Sequence, residues 1–360
     1  DKIEGLTEAL GKNGVCSNYL PRYAQYTWDS IKAFRGGTAL FTQPPMPIKC
    51  AGAPQKIMYL MADHLRRHGK LNQAAIEFCL AGDVIFGVPF FVPPLLDSVK
   101  DYGIKVGYKH NLKAVDGAAK RAVFTVTDEI GAMSEVEKSF DLLHVTPPQT
   151  GLDFVRASPL ANAAGWIEVD QGTLQHTRYQ NIFGLGDASS TPNAKTAAAV
   201  RIQVPVVVKN LLSVIRGQKA AVVYDGYGSC PLTVAIGKIV LAEFAYGGKV
   251  TPSFPLDPRV PRRSMWYLKP NFYRGYTGIT CSAAASSTFR IRSGVSRRRR
   301  DNVAYCTCET LRRYLPNKLN CIPMESFMIN VGSLDRVVRF VIGLALLISP
   351  FIPQFADFFL

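Results

Sequence analysis

Hydrophobic and polar positions change their spacing several times along this chain, and each change marks an element. Residues 38–42 form an apolar run that reads as a strand, and the turn-rich Pro44-Pro45-Met46-Pro47 follows it. Ile57, Leu60, Met61 and Leu65 then fall at i, i+3, i+4 and i+8, the spacing of one helical face, which predicts a helix over 55–67. Cys50, within Ile48-Lys49-Cys50-Ala51-Gly52-Ala53-Pro54, is thus expected on a loop just ahead of a helix N-terminus. That end of a helix is electropositive and lowers a thiol pKa. From residue 74 the pattern alternates: a strand over 74–80, a short helix over 92–102, a strand over 104–108. This is the βαβ order, whose parallel strands need a right-handed crossover. Runs 122–127 and 139–145 read as strands of a small antiparallel addition.

Further on, a strand is expected over 166–170 and another over 181–187, ending in Gly186-Asp187. A loop over 188–193 leads to a helix over 194–212, opened by Lys195-Thr196-Ala197-Ala198-Ala199. Asp187 then stands at the C-terminal end of a strand, where open α/β sheets bind ligands. Its carboxylate can accept hydrogen bonds from a ribityl or ribose hydroxyl, and Gly186 permits close backbone approach. Lys195 and the helix N-terminus aim positive charge at the same crevice, suited to the pyrimidine edge of a reduced flavin; an ordinary strand-end turn is the alternative. In 224–244 the turn Asp225-Gly226-Tyr227-Gly228-Ser229-Cys230-Pro231 lies between two apolar strands, which puts Cys230 on a loop.

The periodicity fades beyond Pro261, and 278–325 reads as basic linker. The stretch 340–356 is uncharged and mostly apolar over 17 residues, the lower limit for a spanning helix, with Pro350 and Pro353 inside it and Arg336 and Arg339 ahead of it. It reads as a membrane segment, with a buried C-terminal helix as the alternative.

Composition narrows these readings. A chain of 360 residues that is 48% hydrophobic can bury two cores, which excludes disorder throughout. Its formal charge of +15 includes the run Arg297-Arg298-Arg299-Arg300 inside the linker, so the charge does not argue for a nucleic-acid partner. Eight cysteines are too few for a disulfide scaffold of this length, and Cys306, Cys308 and Cys321 have no histidine near them in sequence, so no metal is expected. The first residues carry neither an initiating Met nor an apolar signal core, which reads as an N-terminal truncation. No G-x-G-x-x-G phosphate loop occurs in the chain, and Ala81-Gly82-Asp83-Val84-Ile85-Phe86-Gly87, after strand 74–80, has bulky residues between its two glycines. Nicotinamide binding is therefore not expected. His144 reads as a satisfied strand histidine; Trp266, Tyr267, Phe272, Tyr273 and Tyr276 read equally as a quinone pocket, a membrane-facing surface or plain core.

Spacing alone does not pair Cys50 with Cys230, and isolated cysteines are most often inert buried thiols. The segments 1–6, 48–60, Leu143-His144-Val145-Thr146-Pro147-Pro148, 184–200, Tyr224-Asp225-Gly226-Tyr227 and Cys230-Pro231-Leu232 together resemble the eukaryotic-type (type II) branch of the sulfide:quinone oxidoreductases, over about residues 1–276. The resemblance implies an α/β fold of two Rossmann-like, glutathione-reductase-like dinucleotide-binding domains, the first incomplete here, plus the C-terminal hydrophobic helix. The implied layout is 1–72 as the remainder of a FAD domain, 73–160 as a second, non-binding α/β domain, 161–277 as the FAD-domain return, 278–327 as linker and 328–360 as membrane segment. It implies non-covalent FAD held by Gly186, Asp187, Lys195 and Lys56, and two catalytic cysteines, with the persulfide on Cys50 and flavin attack by Cys230. Sulfide, a small sulfane-sulfur acceptor, a membrane quinone and the lipid bilayer of a bacterial or mitochondrial inner membrane are the implied partners. The chain departs from this family in lacking the phosphate loop and the paired amphipathic helices expected after Leu268. The tail, Asn330-Val331-Gly332-Ser333-Leu334-Asp335-Arg336 onward, is similar to the start of a small two-span domain of bacterial inner-membrane proteins linked to sulfur metabolism. Two other readings compete: an inactive remnant unable to hold FAD, and an NAD(P)H-dependent disulfide reductase or NADH dehydrogenase of the same fold.

Overall fold

A five-stranded parallel sheet organises the residues described by the computed structural model, 3–192 and 195–267. Its strands are β1 (Val15–Cys16), β2 (Gly37–Gln43), β3 (Ala74–Leu80), β4 (Lys105–Gly107) and β8 (Leu142–His144), in the order β1-β8-β2-β3-β4. All four pairings are parallel. Ala39, Leu40 and Phe41 of β2 are fully buried, as expected of a central strand covered on both faces. Helix α2 (Pro21–Ala33) connects β1 to β2, and two helices make the next crossovers: α3 (Ala53–Arg67) between β2 and β3, and α4 (Val92–Asp101) between β3 and β4. Met58, Met61 and Leu65 of α3 and Leu95 of α4 pack with Phe41 and Phe78 into the larger core.

The antiparallel addition is a three-stranded sheet of β5 (His110–Asp116), β6 (Arg121–Thr127) and β7 (Met133–Ser139). With α1 (Leu6–Ala9) it covers the opposite face of the parallel sheet, where Leu112 and Phe124 meet Leu40, Cys79 and Leu143. The strand expected over 139–145 does not belong to this addition. β7 ends at Ser139, and Leu142–His144 returns to the parallel sheet between β1 and β2, where Leu142 and Leu143 bury opposite faces in the two cores. β2 and β3 lie on either side of the boundary drawn at 72/73 and pair along seven residues, so that boundary does not separate two sheets.

Residues beyond β8 are mostly irregular. The strands expected over 166–170 and 181–187 are reduced to single bridges, such as Ile167 with Ser189 and Gln175 with Phe183, and Gly186–Ala188 is a turn of 3₁₀ helix. Each run is short, and its neighbours here are loops rather than strands. Past the short α5 (Asp153–Arg156), helix α6 runs over Ala197–Ile215, with Thr196 accepting a capping bond from the Ala199 N–H. Buried Asn210 ties α6 to the chain around it, donating to the carbonyls of Thr173 and Val222 and accepting from the N–H groups of Ala221 and Val222.

The chain then forms a hairpin, β9 (Gly228–Ala235) with β10 (Lys238–Phe244), and a last short helix α7 (Arg263–Tyr267). Cys230, expected on a loop, lies inside β9 opposite Ala242. Pro231 is tolerated next to it because, among the described residues, β9 pairs with β10 alone, so a missing N–H leaves no second ladder broken. The hairpin packs on α3, and Cys230, Leu232, Val240 and Ala242 join the larger core. At the far end of α3, Asp63 accepts from the Ile236 N–H at 2.9 Å while Arg67 donates to the Ile236 carbonyl at 2.8 Å. Tyr102 donates to the Val234 carbonyl at 3.1 Å. The linker, the membrane segment, Phe272, Tyr273 and Tyr276 lie outside the described residues.

Candidate redox site

The site begins where β2 ends. The chain passes through the cis Met46–Pro47 bond to Cys50, whose φ of 53° lies in the left-handed region that a non-glycine residue enters at a cost of about 1–2 kcal/mol. Two backbone bonds hold it there: its N–H donates to the Lys195 carbonyl at 3.1 Å, and its carbonyl accepts from the Ala53 N–H at 2.7 Å. Pro54 opens α3, its fixed φ and missing N–H suiting a first turn. Gly52 is the point of closest approach to the hairpin, since a Cβ built there would sit 2.2 Å from Leu232 Cδ2 and 3.7 Å from Cys230 Cβ.

This packing sets Cys50 Sγ 3.6 Å from Cys230 Sγ. Both thiols are free, and the distance is contact rather than the ~2.05 Å of a disulfide bond. Lys56, in the first turns of α3, places Nζ 3.7 Å from Cys50 Sγ. The Cys230 S–H donating to Cys50, together with the Lys56 ammonium and the Gly52 N–H, outweighs burial and holds Cys50 down at about 6. Its partner moves the opposite way: donation to Cys50 and complete burial push Cys230 well above the ordinary thiol value. Near neutral pH the pair is a Cys50 thiolate and a Cys230 thiol.

The Gly186 group adjoins this pair through the backbone of Cys50. Gly186, at φ 63°, donates its N–H to Gln203 Oε1 at 2.7 Å. Asp187 stands 3.6 Å from Lys49 Nζ, both half-exposed, and such a pair contributes little stability. Lys195 is buried, donates Nζ to the Ser189 carbonyl and lies 4.6 Å over the Trp166 ring. Burial lowers its pKa to about 8 against the opposing pull of Asp187. No carboxylate among the described residues lies at ion-pair distance from it. A buried cation held, among the described residues, by a carbonyl and a ring rather than by a carboxylate at ion-pair distance suits a guest on which negative charge develops.

Several groups around Cys50 were not visible in the sequence. Gln149 accepts the Lys49 N–H at 2.7 Å, and Tyr19, after β1, has its hydroxyl beside that of Thr146. Burial pushes Tyr19 up to about 12, with Thr146 opposing and the charge of Cys50 adding to the rise. The loop after β3 takes a different part: Ile85 and Phe86 are buried in the larger core, and Phe86 stacks edge-on against Phe91 and Phe244. It is a packing element, not a cradle for pyrophosphate. A small cavity bounded by Leu241, Glu243, Phe254 and Met265 opens on the face of the hairpin opposite Cys230.

No protein-family model matches the chain. It is similar to the mitochondrial sulfide:quinone oxidoreductases of Mus musculus (39% identical over 287 residues, 77% of this chain and 63% of that protein) and Dictyostelium discoideum (42% over 259 residues, 71% and 56%). The relative from Schizosaccharomyces pombe is 38% identical over 281 residues, 76% of this chain and 61% of that protein. The chain thus spans between 56% and 63% of the length of these curated relatives. In structure it resembles a chain of the Tetrahymena thermophila mitochondrial ATP synthase tetramer (TM-score 0.64, 24% identity, 79% of this chain and 70% of that one). It also resembles the sulfide:quinone oxidoreductase of Aquifex aeolicus (TM-score 0.60, 16% identity, 77% and 65%). These two likenesses show the shared α/β fold.

Proposed function

We propose that this chain is the two-cysteine portion of a sulfide:quinone oxidoreductase, acting in the mitochondrion as its relatives' names say. The observation that carries this reading is the contact of Cys50 and Cys230 at 3.6 Å, with the Lys56 ammonium against the ionised partner. The relatives at 38–42% identity supply the substrate pair, sulfide and quinone.

The chemistry follows from the ionisation order. In the oxidised state the two sulfurs form a disulfide, and hydrosulfide attacks the Cys50 sulfur, the less buried of the two. The S–S bond breaks and its electron pair leaves on Cys230. The proton of the new Cys50 persulfide passes to Cys230, in the direction that the raised pKa of Cys230 favours. A small nucleophilic acceptor then removes the outer sulfur, leaving both cysteines reduced, with the thiolate favoured on Cys50 and the thiol on Cys230. Re-forming the disulfide releases two electrons and one proton, and bound FAD would take the electron pair and deliver it to the quinone. The resemblance assigns flavin attack to Cys230; the ionisation order favours Cys50, because thiolate and not thiol donates electrons. Asp187 and Lys195 are the residues here that would hold the flavin, with Gly186 allowing close approach. Lys56 serves the thiolate.

The test is sulfide-dependent bleaching of the flavin in the FAD-loaded chain, with quinone as acceptor. Bleaching by sulfide that Cys50→Ser and Cys230→Ser both abolish is the expected result. Bleaching by NADH without any by sulfide would overturn the reading.

A further inference from the structure

Two histidines meet at the end of α3 away from Cys50. His64 and His68 stand at i and i+4, which puts both on one face of the helix, and their ring centroids are 4.2 Å apart at 40°. The His68 ring is fixed: its Nδ1 lies 2.7 Å from the His64 carbonyl, which also accepts the His68 N–H at 3.2 Å. A carbonyl only accepts, so Nδ1 carries the proton and Nε2 presents its lone pair. His68 is exposed and His64 half-buried. No hydrogen bond engages the His64 ring among the described residues; it packs edge-on against Trp28 of α2, with centroids 5.1 Å apart.

Histidine ligands of metals commonly donate their second ring N–H to a backbone carbonyl, which sets tautomer and orientation, and His68 does the same here. The spacing fits as well. Metal–nitrogen bonds of about 2.0–2.1 Å put each ring centroid about 3 Å from a shared ion, so two rings meeting it at a right angle stand about 4.5 Å apart. The observed 4.2 Å is close to that. Most neighbouring cations are taken up by carboxylates: Arg66 pairs with Asp101 at 2.7 Å, Arg67 with Asp63 at 2.8 Å and Lys32 with Asp29 at 2.8 Å. Lys70, two residues beyond the pair, opposes any cation there and limits its affinity.

The geometry points to a site for one divalent late transition-metal ion, held by His64 and His68 with water in its remaining positions. The cysteine spacing gave no reason to expect a metal; this pair offers imidazole nitrogen instead, and it stands apart from the sulfide chemistry. Imidazole suits copper(II), nickel(II) and zinc(II), and copper(II) binds most tightly of the three. No third His, Cys, Asp or Glu joins the pair among the described residues, so the ion is exchangeable and open to solvent. The other three histidines offer no such chelate: His144 and His176 are buried, and His110 has Phe124 against its ring.

Trp28 makes the site readable, because copper(II) held by His64 quenches an indole packed against that imidazole. The full chain, its thiols first blocked with iodoacetamide since thiolates also bind copper, is titrated with copper(II) while tryptophan fluorescence is followed. Saturable quenching at one equivalent is expected. His64→Gln and His68→Gln should each weaken it by at least about tenfold, since even outer-shell partners of a metal are worth that much. Trp28→Phe should lose the quench and keep its retention on an immobilised-nickel column. His68 is exposed, so its variant keeps the fold, with an unchanged urea-unfolding midpoint as the check. Equal copper midpoints in the wild type and both histidine variants overturn the site. Binding that needs one histidine and not the other does so too, being a single-imidazole contact, as does quenching that persists in Trp28→Phe, which places the ion elsewhere.

Discussion

Cys50 owes its low pKa first to the Cys230 S–H and then to Lys56. Removing the stronger cause should therefore matter more: Cys230→Ala should raise the midpoint of Cys50 alkylation by iodoacetamide from about 6 toward the ordinary value of 9.0, further than Lys56→Met does. Equal midpoints in the wild type and both variants would contradict this. His144 gives a second prediction. Complete burial drops its pKa from 6.5 to about 4, so it stays neutral in the fold while the unfolded chain takes up a proton below pH 6.5. Its contribution is whole above pH 6.5 and is lost as pH falls toward 4. Urea unfolding should show about 2 kcal/mol of lost stability between pH 7.5 and pH 5 from this residue, a component missing in His144→Asn. The sequence marked His144 as a satisfied histidine, and one nitrogen is. The partner of that nitrogen, the Asn18 N–H, arrives from a distant segment and is invisible to periodicity.

At the scale of elements, helix α3 and hairpin β9–β10 make the site. Gly52→Ala should force Leu232 to move and should widen the gap between the sulfurs, slowing oxidative closure of the Cys50–Cys230 bond while leaving overall folding cooperative. Closure at the wild-type rate, followed by loss of free thiols, would show that Leu232 yields without moving the hairpin. Elements bounded by strong local signals were legible: 74–80 was read to the residue, and α3 begins two residues before its expected start because Pro54 fits the first turn. Others failed for physical reasons. Cys230 follows a glycine-rich turn, yet β9 begins at Gly228 because a strand with one partner tolerates Gly and Pro. The run 139–145 kept its extended form but changed sheets, since only tertiary packing decides which neighbours a buried strand pairs with.

For the whole molecule, the pairing of two cysteines 180 residues apart was invisible to periodicity and came only through the resemblance. α6 is the other large-scale feature. Over 19 residues its mean hydropathy is 1.5, and Val204, Val208, Leu211 and Ile215 are exposed, so among the described residues it is the one helix long and apolar enough to cross a membrane. Replacing Val204, Val208 and Leu211 by Ser should lower self-association of the chain in detergent-free light scattering while leaving the alkylation midpoint of Cys50 in place. Association unchanged by all three would show that this face does not drive it. Finally, α3 is pinned to the hairpin at both ends, by Gly52 against Leu232 and by Asp63 and Arg67 on Ile236, across a beam about 22 Å long. A beam fixed at two points does not swing. The travel from a 3.6 Å contact to a covalent bond must then be taken up by side-chain rotation and by the one left-handed joint at Cys50 itself. The frame can cycle between redox states without gears, at the cost of having a single moving part.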